Sequence, residues 1–400
     1  MTETDAPRQA DLFASMKRGG RILFAVTTLL VAACQSVVPR GPGPAPVPGS
    51  AQPGPDVTQG LPTDATRHRV ALLVPMSGPN AGVGQSIANA TTLALLDTKA
   101  DRVRITTYDT GVGAAAAVSK ALAEGNRLIL GPLLAEDARI VGPIAARANV
   151  PVISFSNDVS VAGNGVYIMG YNPNQSIERV VDYAKGRGLS KFAALVPRGV
   201  YGERSGTALL RAVEQAGGTV VSMQTFDRTS ASMTAAIKKL HASSSYDALL
   251  IADSGRVALQ VAPIVRKNGG ASARLLGTEL WNTDNSLASS PVLRGAWFAS
   301  VSDGLYRQLA GKYRARYGSA PFRLSAMGYD AVLLTVRIAR DWKPGTPFPA
   351  ARLRDAGGFA GIDGAFRFSR NGIAERALEV NEVGSGSVTV VDPAPKAFAE

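Results

Sequence analysis

Side chains able to do covalent or metal chemistry are scarce in this chain of 400 residues. Cys34 is the only cysteine, and His68 and His241 are the only histidines. One thiol cannot close an internal disulfide, and one cysteine with two distant histidines has no zinc-ligand spacing. His241 lies in the polar stretch KKLHASSS and reads as a solvated residue, not a general base. No G-x-S-x-G, H-E-x-x-H or Walker A pattern occurs. Gly111-Val112-Gly113-Ala114-Ala115-Ala116 matches the G-x-G-x-x-A turn of dinucleotide sites. That turn belongs in the first strand–helix unit, with an acid ending the next strand. Here it follows the second strand, and the next one ends in Gly131-Pro132, so no nicotinamide cofactor is expected. The chain reads as a binding or interaction protein and not an enzyme, with no cofactor and no metal.

The place of Cys34 suggests its use. Lys17, Arg18 and Arg21 precede the uncharged run ILFAVTTLLVAA. That run is too short for a membrane-spanning helix, which needs about 20 residues. A basic start, a short apolar run and small residues before a cleavage point describe a secretory leader. Leu30-Val31-Ala32-Ala33-Cys34 resembles a bacterial lipobox, which implies that residues 1–33 are removed and that the Cys34 thiol is acylated. MKRGGRILFAV offers Met16 as an alternative start. Gln35 after the cysteine, rather than Asp, implies an outer-membrane destination on the same resemblance. From Ser36 to Arg67 the chain carries eight prolines and five glycines, and a packed element is excluded. Residues 34–67 are expected to be a lipidated, solvated tether, part polyproline II. Fully extended, it would reach on the order of 100 Å.

The formal charge is +12, yet no block of consecutive Lys/Arg and no basic stretch interleaved with aromatics is present. That excludes a nucleic-acid reading. It leaves a generally basic surface, or attraction to anionic lipid or wall polymer.

From His68 the rhythm is strand and helix in alternation. HRVALLVPM, VRITTYD, RLILG and VPVISFS are short apolar strands, separated by the helical stretches QSIANATTLALLD, AAAAVSKALAEG and AEDARIVGPIAARAN. Near-continuous apolar strands are those buried on both faces, and this alternation predicts doubly wound parallel sheets. The pattern resumes at KFAALVP, TALLRAVEQAGG, TVVSMQTF, DALLIAD and RLLGTEL, which predicts a second α/β lobe. Lobe 1 is expected at about 68–172 plus 302–345, lobe 2 at about 175–298 plus 350–390, and a tail at 391–400. A ligand cleft is expected between the lobes.

VALLVPMSGPNAGVGQSI, RLILGPL, VPVISFSND, VYIMGYNPNQSIERVVDYAKGRGLSKFAALVPRGVYG, LLGTELW, GAWFAS and SAMGYDAVLL occur in that order. Together they resemble the type I periplasmic binding proteins of the leucine-binding group, over residues 68 to about 385. YDTG, ILGPL, FSNDVSVAGNGVYIMG, the lipobox and the tether resemble one subgroup, the penicillin-binding-protein activator lipoproteins. That resemblance implies a lipid-anchored periplasmic protein of the outer membrane that docks on a peptidoglycan synthase. The alternative is the solute-binding lipoprotein of an ABC importer for amino acids or another small polar ligand, including a muropeptide.

In the amino-acid binders of this family the ligand's carboxylate meets first-lobe hydroxyls and N–H groups. Its ammonium meets a second-lobe carboxylate and an aromatic. The resemblance therefore places candidate cleft residues at Ser77, Gly78 and Asn80, at Ser154, Ser156 and Asn157, and at Asp253, Glu279 and Trp281. A plain turn and N-cap explains the first group equally well, and Asx-type turns explain the second. Glu279 occupies the ammonium-binding position, with Trp281 as a wall of that pocket. Where a serine is usual, Leu134-Ala135-Glu136-Asp137 brings acids that would repel a carboxylate. Where a tyrosine is usual, the strand ends Ala252-Asp253-Ser254. The expectation is a cleft that no longer takes a free amino acid, or takes something different.

Overall fold

In the computed structural model the described residues are 66–395 and 398, apart from 244 and 285. The leader, Cys34 and the tether as far as residue 65 lie outside them. Among the described residues no helix is long and apolar enough to cross a membrane.

The first lobe is wound from β1 (His68–Val74), α1 (Ala81–Asp97), β2 (Val103–Asp109), α2 (Ala114–Ala123), β3 (Leu128–Leu130), α3 (Ala135–Arg147), β4 (Val152–Ser154) and β5 (Val166–Ile168). Its strands are all parallel, in the order β2-β1-β3-β4-β5. Val70 to Val74 are fully buried because helices cover both faces of the sheet. β1 is followed by β2 on one side and flanked by β3 on the other. This switch point opens a crevice at the strands' carboxyl ends.

The second lobe follows with α4 (Pro173–Gly186), β6 (Lys191–Pro197), α5 (Val200–Gln215), β7 (Thr219–Phe226), α6 (Ser230–Ser243), β8 (Ala248–Ile251), α7 (Gly255–Lys267), β9 (Arg274–Gly277) and β10 (Trp297–Ser300). The chain then returns through α8 (Gly304–Tyr317) and α9 (Ser325–Ala339) to pack on the first lobe beside α1. A small antiparallel sheet comes next, of β11 (Phe359–Gly361), β12 (Gly364–Phe368) and β13 (Ala374–Arg376). The last two strands, β14 (Glu379–Val383) and β15 (Val388–Asp392), add antiparallel to β10. The second sheet thus has seven strands, in the order β15-β14-β10-β9-β8-β6-β7.

The lobe boundaries read from the sequence need one correction. Residues 359–376 belong to the first lobe, because Phe359, Phe366 and Phe368 are buried in one core with Val70, Leu72 and Trp342. Only β14 and β15 cross to the second lobe. The chain therefore passes between lobes three times, after β5, after β10 and after β13.

The lobes share a packing device. In each, the first strand runs into a proline, and a glycine in the first turn of the next helix lies against that proline's carbonyl. A Cβ on Gly84 would sit 1.8 Å from Pro75 O, and one on Gly202 would sit 1.7 Å from Pro197 O. The close approach sets the start of each helix at the edge of the cleft.

Candidate functional site

A cavity of about 460 Å³ lies between the lobes. Its walls come from the carboxyl ends of first-lobe strands (Asn80, Val83, Leu133, Leu134, Phe155, Asn157), from the second lobe (Ser176, Glu279, Leu280) and from all three crossings (Tyr171, Val301, Leu378). That size suits an amino-acid-sized or drug-sized solute.

Glu279 follows β9, where Thr278 accepts a hydrogen bond from Leu280 N and opens a short 3-10 helix, Glu279–Thr283. Ser176 Oγ donates to Glu279 Oε2 at 2.6 Å, and Tyr201 OH donates to Oε1 at 3.0 Å. Burial raises the Glu279 carboxyl above its ordinary range, against the Ser176 and Tyr201 bonds that lower it. Burial, with the Glu279 charge, also raises the Tyr201 phenol, which therefore stays protonated and donates. The result is an oriented carboxyl group on the cavity wall, with no cation paired to it among the described residues.

Trp281 does not wall the cavity. It is fully buried, its ring lies over Gly277, and its Nε1 donates to Asp253 O at 3.1 Å. At about three residues per turn, a residue two positions on points about 240° away. Glu279 therefore faces the cleft and Trp281 the core.

Of the other sequence candidates, Asn80 and Asn157 line the cavity. Ser77 and Gly78 do not: the Ser77 side chain bonds Asp109 and packs at Gly111, and Gly78 is a turn at φ +77°. Ser154 is buried with Oγ donating to Pro132 O at 2.9 Å. Ser156 Oγ accepts from Asp158 N at 3.0 Å. Both serines serve turn chemistry. Asp253 is 2% exposed, pairs with Arg228 at 2.9 Å and accepts from Ser254 N at 2.7 Å. The acids that were to repel a carboxylate, Glu136 and Asp137, lie in the first turn of α3 and do not line the cavity. Leu133 and Leu134 present apolar surface there instead. The tyrosine missing from the end of β8 is replaced by Tyr201 of α5, which holds Glu279 from a different element.

Sequence reasoning missed the charged floor. Arg323, just before α9, and Arg376, at the end of β13, both line the cavity. Arg323 meets Asp363 Oδ1 at 2.7 Å and Asp303 Oδ1 at 3.2 Å. Tyr171 OH donates to Asp363 Oδ2. Beneath them, fully buried Asp330 accepts from the backbone N–H groups of Ile362 and Asp363. Burial, then the Asp363 charge, pushes its carboxyl up to about 7. The folded chain therefore holds a proton that the unfolded chain releases near pH 4. This contributes stability that is full below pH 4 and lost as pH rises through about 7. The melting temperature should accordingly fall between pH 5 and 8. Asp330→Asn, which keeps an acceptor without the charge, should flatten that slope, and a thermal scan across pH checks it.

The lobes are also tied at the rim. Asp158, after β4, accepts from Arg139 at 2.6 Å and from Arg204 of α5 at 2.5 Å. The carboxylate is mostly buried and also accepts from Ser160 N and Oγ, so its geometry is fixed. Charge-assisted bonds of this kind exceed open surface pairs. Arg204→Met should weaken this tie between the lobes by ~1 kcal/mol and ligand binding about fivefold. An increased radius of gyration in small-angle scattering would accompany it.

Residues 68–387 match the family described as periplasmic binding protein. The chain belongs to that family. Its members are binding proteins of the periplasm and not enzymes, and the leucine-binding-like fold of two parallel-sheet lobes is theirs. A solved branched-chain amino acid ABC transporter structure from Rhodospirillum rubrum is 20% identical, at TM-score 0.71, over 81% of this chain and all of that one. A solute-binding ABC transporter protein from R. palustris, solved with benzoate, is 19% identical at TM-score 0.60, over 84% of this chain and 98% of that one. These likenesses show the fold. An uncharacterised protein of Rickettsia prowazekii is 28% identical over 136 residues, 34% of this chain and 36% of that relative's length.

Proposed function

We propose that this periplasmic binding protein captures a small solute for an ABC importer. The supporting observation is the cavity itself: its walls come from both lobes and all three crossings, so closing the lobes would enclose a ligand there. Glu279, held by Ser176 and Tyr201, would take the donor end of that ligand. Leu133, Leu134 and Phe155 would take its apolar body. The relatives named for branched-chain amino acid transport and for benzoate support the same reading. Acylation of Cys34 would keep the protein at a membrane while the tether lets the lobes work away from it.

Stability against ligand tests this. Thermal unfolding would be recorded with amino acids, aromatic acids, short peptides and muropeptide fragments. A true ligand at 100 times its dissociation constant adds about 2.7 kcal/mol. A second reading, activation of a penicillin-binding protein from the outer membrane, rests on the sequence resemblance, the lipobox and the tether. It predicts no shift with any solute and a stable complex with a purified peptidoglycan synthase.

A further inference from the structure

The two edges of the first lobe carry opposite charge. In a parallel sheet wrapped by helices, strand starts and helix ends gather at one edge and strand ends at the other. At the amino edge, Arg69 of β1 and Arg104 of β2 are partners in the ladder. Arg102 O accepts from His68 N at 2.7 Å, and Arg69 O accepts from Arg127 N at 2.9 Å. His68 stacks on Trp342 with ring centres 3.9 Å apart, which brings Arg340 and Lys343, just past α9, to the same edge. All six of these cations are exposed. The acids between them are Asp101 and Glu124, because Asp341 already pairs with Arg352 and Asp97 with Lys312. At the carboxyl edge Asp109 ends β2, and Glu136 and Asp137 open α3. Cations are common in the last turn of a helix, where they meet its dipole. That does not account for Arg69, Arg102, Arg104 and Arg127, which lie in strands or immediately before them. Like charges side by side on neighbouring strands destabilise a sheet, so stability alone does not favour the placing of Arg69 and Arg104.

We infer that the amino edge of the first lobe docks on an anionic phospholipid surface, with its arginine and lysine side chains among the headgroups. Lys and Arg side chains are drawn to an anionic leaflet within about a Debye length of it. Two observations favour a bilayer over a wall polymer. The stretch that carries Cys34 enters the fold at this edge, through Thr66 and Arg67 into β1, so acylation of Cys34 would hold this edge nearer the bilayer than the cavity edge. Leu96, exposed near the end of α1, belongs to the same edge and can enter the headgroup layer, whereas a polar polymer offers it no apolar contact. Docked in this way, the lobe turns its carboxyl edge, and the cavity with it, away from the bilayer. The docking does not require that the cavity hold a solute.

The test uses the full chain with Cys34→Ser, which excludes acylation, and two kinds of vesicle: phosphatidylcholine alone, and phosphatidylcholine with an equal part of phosphatidylglycerol. Binding is read by sedimentation. Location is read by hydrogen exchange, which separates docking of this edge from binding through residues 1–33. Phosphatidylglycerol vesicles should slow exchange at 99–104, 125–128 and 340–346, phosphatidylcholine vesicles should not, and added salt should reverse the protection. Each cation removed should cost about fivefold in binding, so Arg102→Gln, Arg127→Gln and Lys343→Gln together should cost about 100-fold. Arg211→Gln, Lys238→Gln and Lys267→Gln, exposed on the second lobe, remove the same charge and should change binding less than about twofold. No protection of this edge by phosphatidylglycerol overturns the inference, and so does equal protection by phosphatidylcholine or by inorganic phosphate. Equal losses in the two triple variants overturn it as well, since net charge would then explain the binding. Retention on an anionic wall polymer without protection by vesicles overturns the bilayer and gives the edge to the polymer. If the first triple variant does not fold, the exchange pattern of the unsubstituted edge decides alone. Every one of these results leaves solute capture untouched, because the cavity lies at the other edge.

Discussion

Glu279→Gln should weaken the binding of any captured amino acid by about 100-fold, or ~2.7 kcal/mol. The carboxylate lies on the cavity wall with its two oxygens fixed by Ser176 and Tyr201. An amide in its place accepts from one side only and presents no charge to an ammonium. The unliganded protein should behave in the opposite way. Burial raises the Glu279 carboxyl, so the folded state holds that proton more tightly than the unfolded state. The resulting stability is full below the unfolded value of about 4.3 and is lost as pH rises through the folded one. Glutamine has no such loss, so the variant should gain melting temperature over the natural protein as pH rises. The same titration lowers amino-acid affinity in the natural chain as pH falls. Calorimetry at two pH values with both proteins reads each effect. Unchanged affinity in Glu279→Gln would place the ammonium elsewhere.

Gly202→Ala should destabilise the fold by ~3 kcal/mol or more. The new Cβ would stand 1.7 Å from Pro197 O, a backbone atom at the end of a central strand. Neither the strand nor the helix can yield without breaking sheet or helix bonds. For a chain this long, that loss lowers the melting temperature by about 4 °C. Gly84→Ala should do the same in the first lobe, against Pro75 O. Gly311→Ala is the control. That glycine lies inside α8 with open space around its missing Cβ, so alanine should stabilise by ~0.5–1 kcal/mol. Gly202→Ala should also weaken ligand binding, because residue 201 carries the tyrosine that holds Glu279. Equal melting temperatures for all three variants would show that the helix starts are not locked to the strand ends.

Much of the architecture was legible because it depends on local pattern. Strands buried on both faces must be apolar along their buried length, and VALLV and FAALV are. Glu279 was singled out by the resemblance of LGTELW to the leucine-binding group, and it does lie just past β9, at the carboxyl edge where clefts form. Trp281 was misplaced because a one-dimensional reading cannot see the 3-10 turn that separates its direction from that of Glu279. Ser154, Ser156 and Asp253 were misplaced for a related reason. A polar residue after a strand either faces the cleft or satisfies its own turn, and the neighbouring backbone decides which.

By itself, then, the sequence determined the two α/β lobes and, through the family resemblance, pointed to Glu279. Each is encoded within a few residues of chain. Tertiary structure alone decided the cavity floor. Tyr171 follows β5, Arg323 precedes α9, and Asp363 and Arg376 belong to the small antiparallel sheet, and nothing near any of them marks it as a site. They meet because the chain returns to the first lobe beside the gap after leaving it at β5. Tertiary structure also decided that 359–376 packs on the first lobe, since its three phenylalanines join a core with Val70 and Leu72, roughly 300 residues earlier.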